Sequence, residues 1–233
     1  DPLGLLPAGD APPDAIVAPN GARFRRQPPG ILPELVAELG TAREQAKAAG
    51  RAVKANAIKI LMNSLYGVLG AGASRLFSPP VSNAITHFGQ LLIRHAAELA
   101  AAAGYPVIYG DTDSLFVVAG PDDPETALAR AAQLRADVGA AVARLVRDRF
   151  GCESFLDLEF EKLYRRFFLP EVRSGRTGSK KRYAGLRRDA DGREHLEFVG
   201  LEAVRRDWSE VSKRFQRGLL ERVFADQPVD AFV

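Results

Sequence analysis

The sequence contains 233 residues, of which 46% are hydrophobic and 26% are charged, and its formal net charge is +3. This composition excludes a disordered chain and is sufficient for roughly one or two globular domains. The single cysteine, Cys152, excludes an internal disulfide and a cysteine-based metal cluster. No apolar run approaches the ~20 residues that span a bilayer, and no signal peptide is recognisable, so we expect a globular protein in a reducing, cytosolic compartment.

The first 70 residues predict a connection followed by two helices. Residues 1–30 are rich in Pro, Gly and Ala without a period, which predicts an irregular segment. Residues 31–49 and 52–69 carry apolar side chains at helical spacing on either side of Gly50. Because the link is so short, we predict an antiparallel helical hairpin.

The middle of the chain predicts a helix, a strand hairpin and another helix. The first helix is predicted from Ser82, as its cap, to the break at Gly104 and Pro106. The stretch "VIYGDTDSLFVV", residues 107–118, predicts two short strands whose tight turn carries two acids. Residues 121–150 predict the second helix, which opens with Asp and Pro.

The C-terminal part predicts further strands before a last helical segment. Residues 154–170 alternate in polarity, which predicts a strand, and residues 180–200 predict a hairpin that turns at Asp191 and Gly192. From about Leu201 the pattern is helical again. Long helices combined with antiparallel hairpins predict the α+β class.

Two predicted helices carry a cationic and polar face. One face of the second helix presents Lys59, Asn63 and Tyr66. On the preceding helix, Arg43 and Lys47 lie four residues apart and share a face. If the two faces meet, three cations surround one point and favour a strongly anionic ligand such as a triphosphate. The alternative is that Arg43 and Lys47 pair with Glu44 or face water.

Asp111 and Asp113 occupy the tip of the predicted strand hairpin. Catalysis by paired Mg²⁺ ions needs carboxylates on rigid strand ends, because the metals bridge the attacking and leaving oxygens of an in-line displacement. The alternative is a turn in which the aspartates bond their own backbone. A calcium loop is disfavoured, since no Gly and distal Glu follow at the required offsets.

A basic segment extends from Lys162 to Arg188, with ten Lys or Arg and one acid, Glu171. Such a stripe is typical of a polyanion partner. Its "GSKKRYAG" run contains Lys180, Lys181, Arg182 and Tyr183. These residues can neutralise backbone phosphates and offer a flat aromatic surface, although a solvated loop is the alternative.

The combination and order of these motifs resemble family B DNA polymerases. "KILMNSLYG" at residues 59–67 is similar to the fingers-helix motif, and "YGDTDS" at residues 109–114 is similar to the palm carboxylate motif. "KKRY" at residues 180–183 resembles the primer–template contact motif, and "VGLEAVRRDW" at residues 199–208 resembles the segment leading into the thumb. Among subgroups, the chain is most similar to the bacterial polymerase II group.

The resemblance implies a DNA-directed DNA polymerase that adds deoxynucleotides to a primer 3′ end with two Mg²⁺ ions. It implies that Arg43, Lys47 and Lys59 hold the incoming triphosphate. Asn63 would line the same pocket, and Tyr66 would pack beside the nascent base pair. The implied partners are primer–template DNA and a deoxynucleoside triphosphate, with a sliding clamp as a further candidate, in the cytoplasm at a bacterial nucleoid.

The resemblance also implies roles for the acids and the basic motif. Asp113 would bind the catalytic magnesium, Asp111 matches the first acid of the same motif, and Glu161 matches a palm acid near the site. Lys181 and Tyr183 would check the primer terminus. The implied DNA-binding residues are Lys180, Lys181, Arg182, Tyr183, Arg205 and Arg206.

The same resemblance divides the chain and predicts that it is an excerpt. The expected parts are a connection (1–30), a fingers hairpin (31–70), palm (71–200) and the start of a thumb (201–233). The family's other catalytic aspartate lies in an Asp-x-x-Ser-Leu-Tyr-Pro-Ser type motif, which does not occur before Ile31. The chain opens at Asp1 rather than Met, and we expect that the fragment alone does not polymerise DNA.

Three alternatives remain on the residues alone. A non-catalytic nucleic-acid-binding module would carry stacking aromatics on its central strands, whereas this central hairpin carries two acids. A reverse transcriptase or RNA polymerase would use adjacent aspartates, whereas Thr112 separates these. A folded but inactive remnant is the third.

Overall fold

The computed structural model describes residues 1–7, 9, 11–120, 123–171, 181–189, 192–230 and 232–233. Long helices and short antiparallel strands confirm the predicted α+β class. The helices are α1 (Ile31–Ala48), α2 (Ala52–Gly70), α3 (Pro79–Ala102), α4 (Pro124–Phe150) and α5 (Glu210–Phe224). The strands are β1 (Leu5–Leu6), β2 (Ile16–Val17), β3 (Arg23–Phe24), β4 (Val107–Asp111), β5 (Ser114–Val117), β6 (Arg166–Phe168), β7 (Tyr183–Arg188) and β8 (Glu194–Val199).

The chain divides into two compact units, and the first comprises Asp1–Leu99 and Val138–Leu156. Here α1 and α2 pack together as the predicted helical hairpin. The reversal between them occurs at Gly50, whose φ of +68° lies in the left-handed region that glycine adopts without strain. One buried alanine on each helix, Ala46 and Ala55, lets the helices approach closely.

The N-terminal segment differs from the irregular connection that its composition predicts. Strands β1, β2 and β3 form a small antiparallel sheet in the order β1-β3-β2. Arg26 ties the segment to the end of α4, because its guanidinium donates to the carbonyls of Asp14 (2.6 Å), Phe150 (2.6 Å) and Gly151 (3.0 Å). Strands of two residues carry too little periodicity to be recognised in a sequence.

The second unit comprises Ala100–Asp137 and Asp157–Val233. It contains the antiparallel hairpin β4–β5 and the three-stranded antiparallel sheet β6-β7-β8, so both predicted strand hairpins are confirmed. Asp191, at the predicted turn of the second hairpin, lies outside the described residues. The core of this unit joins the sheet to α5. Its buried members are Ala184, Leu201, Leu220 and Phe224.

Several predicted boundaries are wrong. The strand predicted over residues 154–170 is regular only in β6, because the chain before Tyr164 makes no ladder among the described residues. Helix α3 begins at Pro79, so Ser82 lies inside its first turn and donates to the Pro79 carbonyl (3.1 Å). Helix α5 begins only at Glu210, after a 3-10 turn at Glu202–Val204.

None of the helices in the described ranges combines the length and the apolar character that crossing a bilayer requires.

Candidate functional site

The two acids lie at the tip of β4–β5, which we call the acidic hairpin (residues 107–117). Asp111 pairs with Ser114 across the turn, and Thr112 between them has a φ of +50°. The Asp111 carboxylate accepts from the Thr112 hydroxyl (3.2 Å), and the Asp113 carboxylate accepts from the Ser114 hydroxyl (3.2 Å). In the described chain these carboxylates therefore bond hydroxyls rather than backbone amides, which disfavours the alternative of a backbone-bonded aspartate turn.

Lys181 of the basic motif lies beside the acidic hairpin. Its ammonium nitrogen is 3.5 Å from the Asp111 carboxylate, and its backbone N–H donates to the Tyr109 hydroxyl (2.7 Å). The Lys181 side chain is 71% exposed and that of Asp111 is 26% exposed. Two motifs some seventy positions apart in the sequence thus meet within one unit, and the cation remains open to a ligand.

An aromatic cluster packs around Tyr109, next to the contact between Lys181 and the acidic hairpin. It consists of Tyr109, Phe116, Tyr164, Phe167 and Tyr183. The Tyr183 ring centroid lies 5.3 Å from that of Phe116 and 5.2 Å from that of Phe167, so it belongs to the cluster rather than to an exposed loop. Burial raises the pKa of Tyr183 and that of Tyr164, and both phenols therefore stay neutral at physiological pH.

Gly185 of β7 leaves room for the Tyr164 ring of this cluster, which a larger residue would not. A Cβ built at Gly185 would lie 2.2 Å from the Cδ1 atom of Tyr164. The Tyr164 ring therefore rests directly on the β7 backbone, which fixes the distance between the cluster and the sheet.

Glu161, the third acid implied by the resemblance, is exposed and lies near Lys162 (3.5 Å). Lys162 makes a shorter contact with Glu197 on β8, at 2.7 Å, and the hydrogen bond to Glu197 raises the pKa of Lys162. Burial raises the pKa of Glu197, but the hydrogen bond and charge of Lys162 outweigh it, so the pKa lies below its ordinary value. Lys162 therefore neutralises acids of its own unit.

Arg182 has a partner within the fold. Its guanidinium pairs with the Glu202 carboxylate, whose other oxygen accepts from the Gln216 side chain (2.5 Å). Gln216 in turn accepts from the Ala203 backbone N–H (2.6 Å). We call Arg182, Glu202 and Gln216 the Glu202 network; it connects the basic motif to α5.

The remaining predicted DNA-binding residues have different surroundings. Arg205 makes a two-point contact with Asp207 (3.0 and 2.6 Å), whereas Arg206 is exposed. Lys180 lies outside the described residues.

The predicted triphosphate residues lie on the helical hairpin of the first unit. Lys47 pairs with Glu44 (2.9 Å) and lowers the pKa of that carboxyl, as the alternative interpretation expects. The Nε atom of Arg43 is buried and has no hydrogen-bond partner among the described residues. Lys59 and Asn63 are exposed.

Tyr66 is about half exposed. Its hydroxyl lies 3.0 Å from the Thr86 hydroxyl of α3, so this hydrogen bond orients the ring at the end of the hairpin.

The oxygen donors of Asp111 and Asp113 suit Mg²⁺, which is commonly held by one or two carboxylates together with water and substrate phosphates. No group of three or more His, Cys, Asp or Glu side chains in the described ranges could hold a metal. Within the described residues the two carboxylates of the acidic hairpin are therefore a partial ligand set.

Sequence reasoning missed three residues of this site. The Tyr109 hydroxyl and Glu202 act through contacts with residues distant in the sequence, and no local pattern indicates such contacts. Gly200 has a φ of +60° and would place a Cβ 1.9 Å from the Lys181 carbonyl oxygen. The sequence feature that indicates Gly200 is its position directly after the alternating residues of β8, where a turn glycine is expected.

Comparisons with known proteins agree with the motifs. Residues 13–232 match the model of DNA polymerase family B. The chain is 40% identical to DNA polymerase II of Escherichia coli (strain K12), over 100% of this chain and 30% of that protein. It is 32% identical to DNA polymerase 2 of Aeropyrum pernix, over 91% of this chain and 24% of that protein.

The fold is similar to the structure of the family B DNA polymerase from the hyperthermophilic archaeon Pyrobaculum calidifontis. The TM-score is 0.66 at 28% sequence identity, over 99% of this chain and 28% of that one. This chain thus spans only about a quarter to a third of the length of its relatives. The resemblance seen in the motifs is confirmed: the chain belongs to DNA polymerase family B.

Proposed function

We propose that these residues are part of a DNA-directed DNA polymerase that adds deoxynucleotides to a primer 3′ end. The observation that carries the proposal is the 3.5 Å approach of Lys181 to Asp111. A phosphate-binding cation beside a carboxylate pair is the arrangement that phosphoryl transfer needs, because catalysis depends on positioning and on neutralising charge. The relatives that the chain matches are named DNA polymerases.

In this proposal Asp113 and Asp111 hold Mg²⁺. The ions would supply neutralisation of the phosphate oxygens during an in-line displacement. The hydroxyl of Ser114 orients the Asp113 carboxylate, as its 3.2 Å hydrogen bond supports. Asp111, which already faces the Lys181 ammonium, has the smaller share in binding the ions.

The helical hairpin binds the incoming nucleotide in this proposal. Arg43, Lys47 and Lys59 contact the triphosphate, Asn63 lines the pocket, and Tyr66 packs beside the new base pair. The unpartnered Nε atom of Arg43 supports this role. The pair of Lys47 with Glu44 is an exposed contact of the kind that contributes little to stability, so Lys47 can exchange it for a phosphate.

Primer–template DNA binds along the basic motif and the segment that follows it. The residues proposed to contact it are Lys180, Lys181, Arg182, Tyr183, Arg205 and Arg206. Lys181 and Arg206, both exposed, are suited to phosphates, whereas Arg182 and Arg205 would act from within ion pairs. The division into fingers (31–70), palm (71–200) and thumb start (201–233), a sliding-clamp partner and a place at the nucleoid belong to the same proposal.

The test is Asp113→Asn in the complete polymerase that carries these residues. We expect the rate of template-dependent nucleotide incorporation to fall by roughly 10³-fold, because loss of a metal-binding carboxylate removes several kcal/mol of transition-state stabilisation. The dissociation constant for primer–template DNA should change less than about twofold. Asp148→Asn on the exposed face of α4 is the matched control and should incorporate normally.

Wild-type incorporation by the Asp113→Asn variant would refute the catalytic proposal. A wild-type polymerase that binds DNA but never extends a primer would favour a binding module instead.

We also expect that residues 1–233 alone do not extend a primer, because the Asp-x-x-Ser-Leu-Tyr-Pro-Ser type motif with the family's other catalytic aspartate is not among them. Extension by the purified residues would contradict this expectation.

A further inference from the structure

Lys181 sits in a backbone turn that two neighbours hold from opposite sides. Its φ is +57°, in the left-handed region that non-glycine residues seldom occupy. On one side its N–H donates to the Tyr109 hydroxyl (2.7 Å). On the other side its carbonyl oxygen lies so near Gly200 that a Cβ there would come within 1.9 Å.

Tyr109 is well suited to fix this turn. It is only 9% exposed, and its ring lies 5.3 Å from that of Phe116 and 6.2 Å from that of Tyr183. It also precedes Asp111 by two residues on β4. One rigid strand therefore presents both the hydroxyl that binds the Lys181 backbone and the carboxylate that faces its ammonium.

We infer that Tyr109 is a positioning residue for Lys181. Its hydroxyl holds the left-handed turn in the geometry that directs the Lys181 ammonium to the acidic hairpin and to a primer phosphate beside it. The inference rests on the proposed function, and it assigns to Tyr109 an effect on DNA that is exerted wholly through Lys181.

The aromatic cluster provides a control variant that tests whether the Tyr109 hydroxyl has only a structural role. Tyr164 belongs to the same cluster, and its hydroxyl faces Glu197 and Tyr183 rather than the Lys181 turn. Removing that oxygen leaves the ring packing in place. If the Tyr109 hydroxyl served only the packing of its ring, its removal should have as little effect as removal of the Tyr164 hydroxyl.

The experiment is a double-mutant cycle in the complete polymerase, with Tyr109→Phe, Lys181→Gln and both together. The dissociation constant for primer–template DNA is measured without nucleotide over a range of salt concentrations. Tyr109→Phe should weaken binding by about five- to tenfold, as expected for the loss of one hydrogen bond to a turn. In the Lys181→Gln background the same change should have almost no effect.

The salt dependence separates positioning from simple destabilisation. Lys181→Gln should lower the slope of log K against log salt by about one, because one phosphate contact is lost. Tyr109→Phe removes no charge, yet it should lower the slope similarly because it misplaces Lys181. Tyr164→Phe should leave both affinity and slope unchanged.

Gly200→Ala is a second perturbation of the same turn, since its Cβ would displace the Lys181 carbonyl and would also lie 3.4 Å from the Cγ atom of Arg182. It should reproduce the loss of affinity and slope. Additive effects in the cycle, or an unchanged slope in Tyr109→Phe, would overturn the inference. Failure of the proposed function is recognised separately, by normal incorporation in the Asp113→Asn variant.

Discussion

Glu202 connects the basic motif to α5, and its removal should loosen this junction. One carboxylate oxygen pairs with Arg182 and the other accepts from Gln216 (2.5 Å). Glu202→Gln keeps the shape of the side chain but removes its charge. The Arg182 guanidinium would then lose its charged acceptor. Its Nε atom is already buried and has no hydrogen-bond partner among the described residues.

The expected cost follows from the exposure of the two partners. A hydrogen bond between charged groups contributes roughly 1.5–3 kcal/mol. The side chains of Arg182 and Glu202 are 39% and 15% exposed, so water compensates part of the loss and we expect about 1–2 kcal/mol. This corresponds to roughly a 5- to 30-fold increase in local opening.

Amide hydrogen exchange in the complete polymerase measures this opening locally. Exchange of amides in β7 and in residues 201–204 should accelerate by the expected factor, whereas amides of α1 should not change. Glu221→Gln, on the exposed side of α5, is the matched control. Unchanged protection around Glu202 in the Glu202→Gln variant would refute the reasoning.

Two further predictions concern pH and the core of the first unit. Burial raises the pKa of Glu202, but its hydrogen bonds and Arg182 bring it below the ordinary 4.5; stability from this group is therefore complete above pH 4.5 and is lost as the pH falls through the folded-state pKa. Acid titration of the exchange protection should show this loss in wild type and much less of it in Glu202→Gln. Leu69 is only 1% exposed and packs beside Leu3 and Val81, so Leu69→Ala should lower the stability of the first unit by about 2–5 kcal/mol. Leu61→Ala, at a 50% exposed position, is the control and should change this stability by less than about 0.5 kcal/mol. Denaturant-dependent hydrogen exchange measures both.

Local patterns were sufficient for the elements that carry the motifs. The helical hairpin follows from apolar spacing and a glycine break, and the acidic hairpin follows from alternating residues around a Gly-Asp-Thr-Asp turn. Both are specified by neighbours in sequence. The boundary errors at Ser82 and after Leu201 have the same origin, because a serine and an apolar pattern permit several starting points for a helix.

Contacts between residues that are distant in the sequence could not be predicted from local patterns. The bond from Lys181 to Tyr109 joins positions 72 residues apart, and the pair of Arg182 with Glu202 requires two strands and a turn to bring it together. A short sheet such as β1-β3-β2 depends on contacts elsewhere in its unit, since two-residue strands are not stable alone.

The basic segment shows that counting charges in the sequence overstates the uncompensated positive charge of a surface. Every described Lys or Arg between 162 and 188 lies within 4.0 Å of a carboxylate, including Lys162, Arg165, Arg166, Lys181, Arg182, Arg187 and Arg188. The stripe predicted from the sequence is therefore largely compensated within the described residues. The neighbouring residues Lys181 and Arg182 differ in their surroundings. The turn at Lys181 leaves its side chain 71% exposed beside Asp111, whereas Arg182 forms an ion pair with Glu202. If this surface binds phosphate as proposed, recognition depends on which cation the backbone presents rather than on how many the sequence contains.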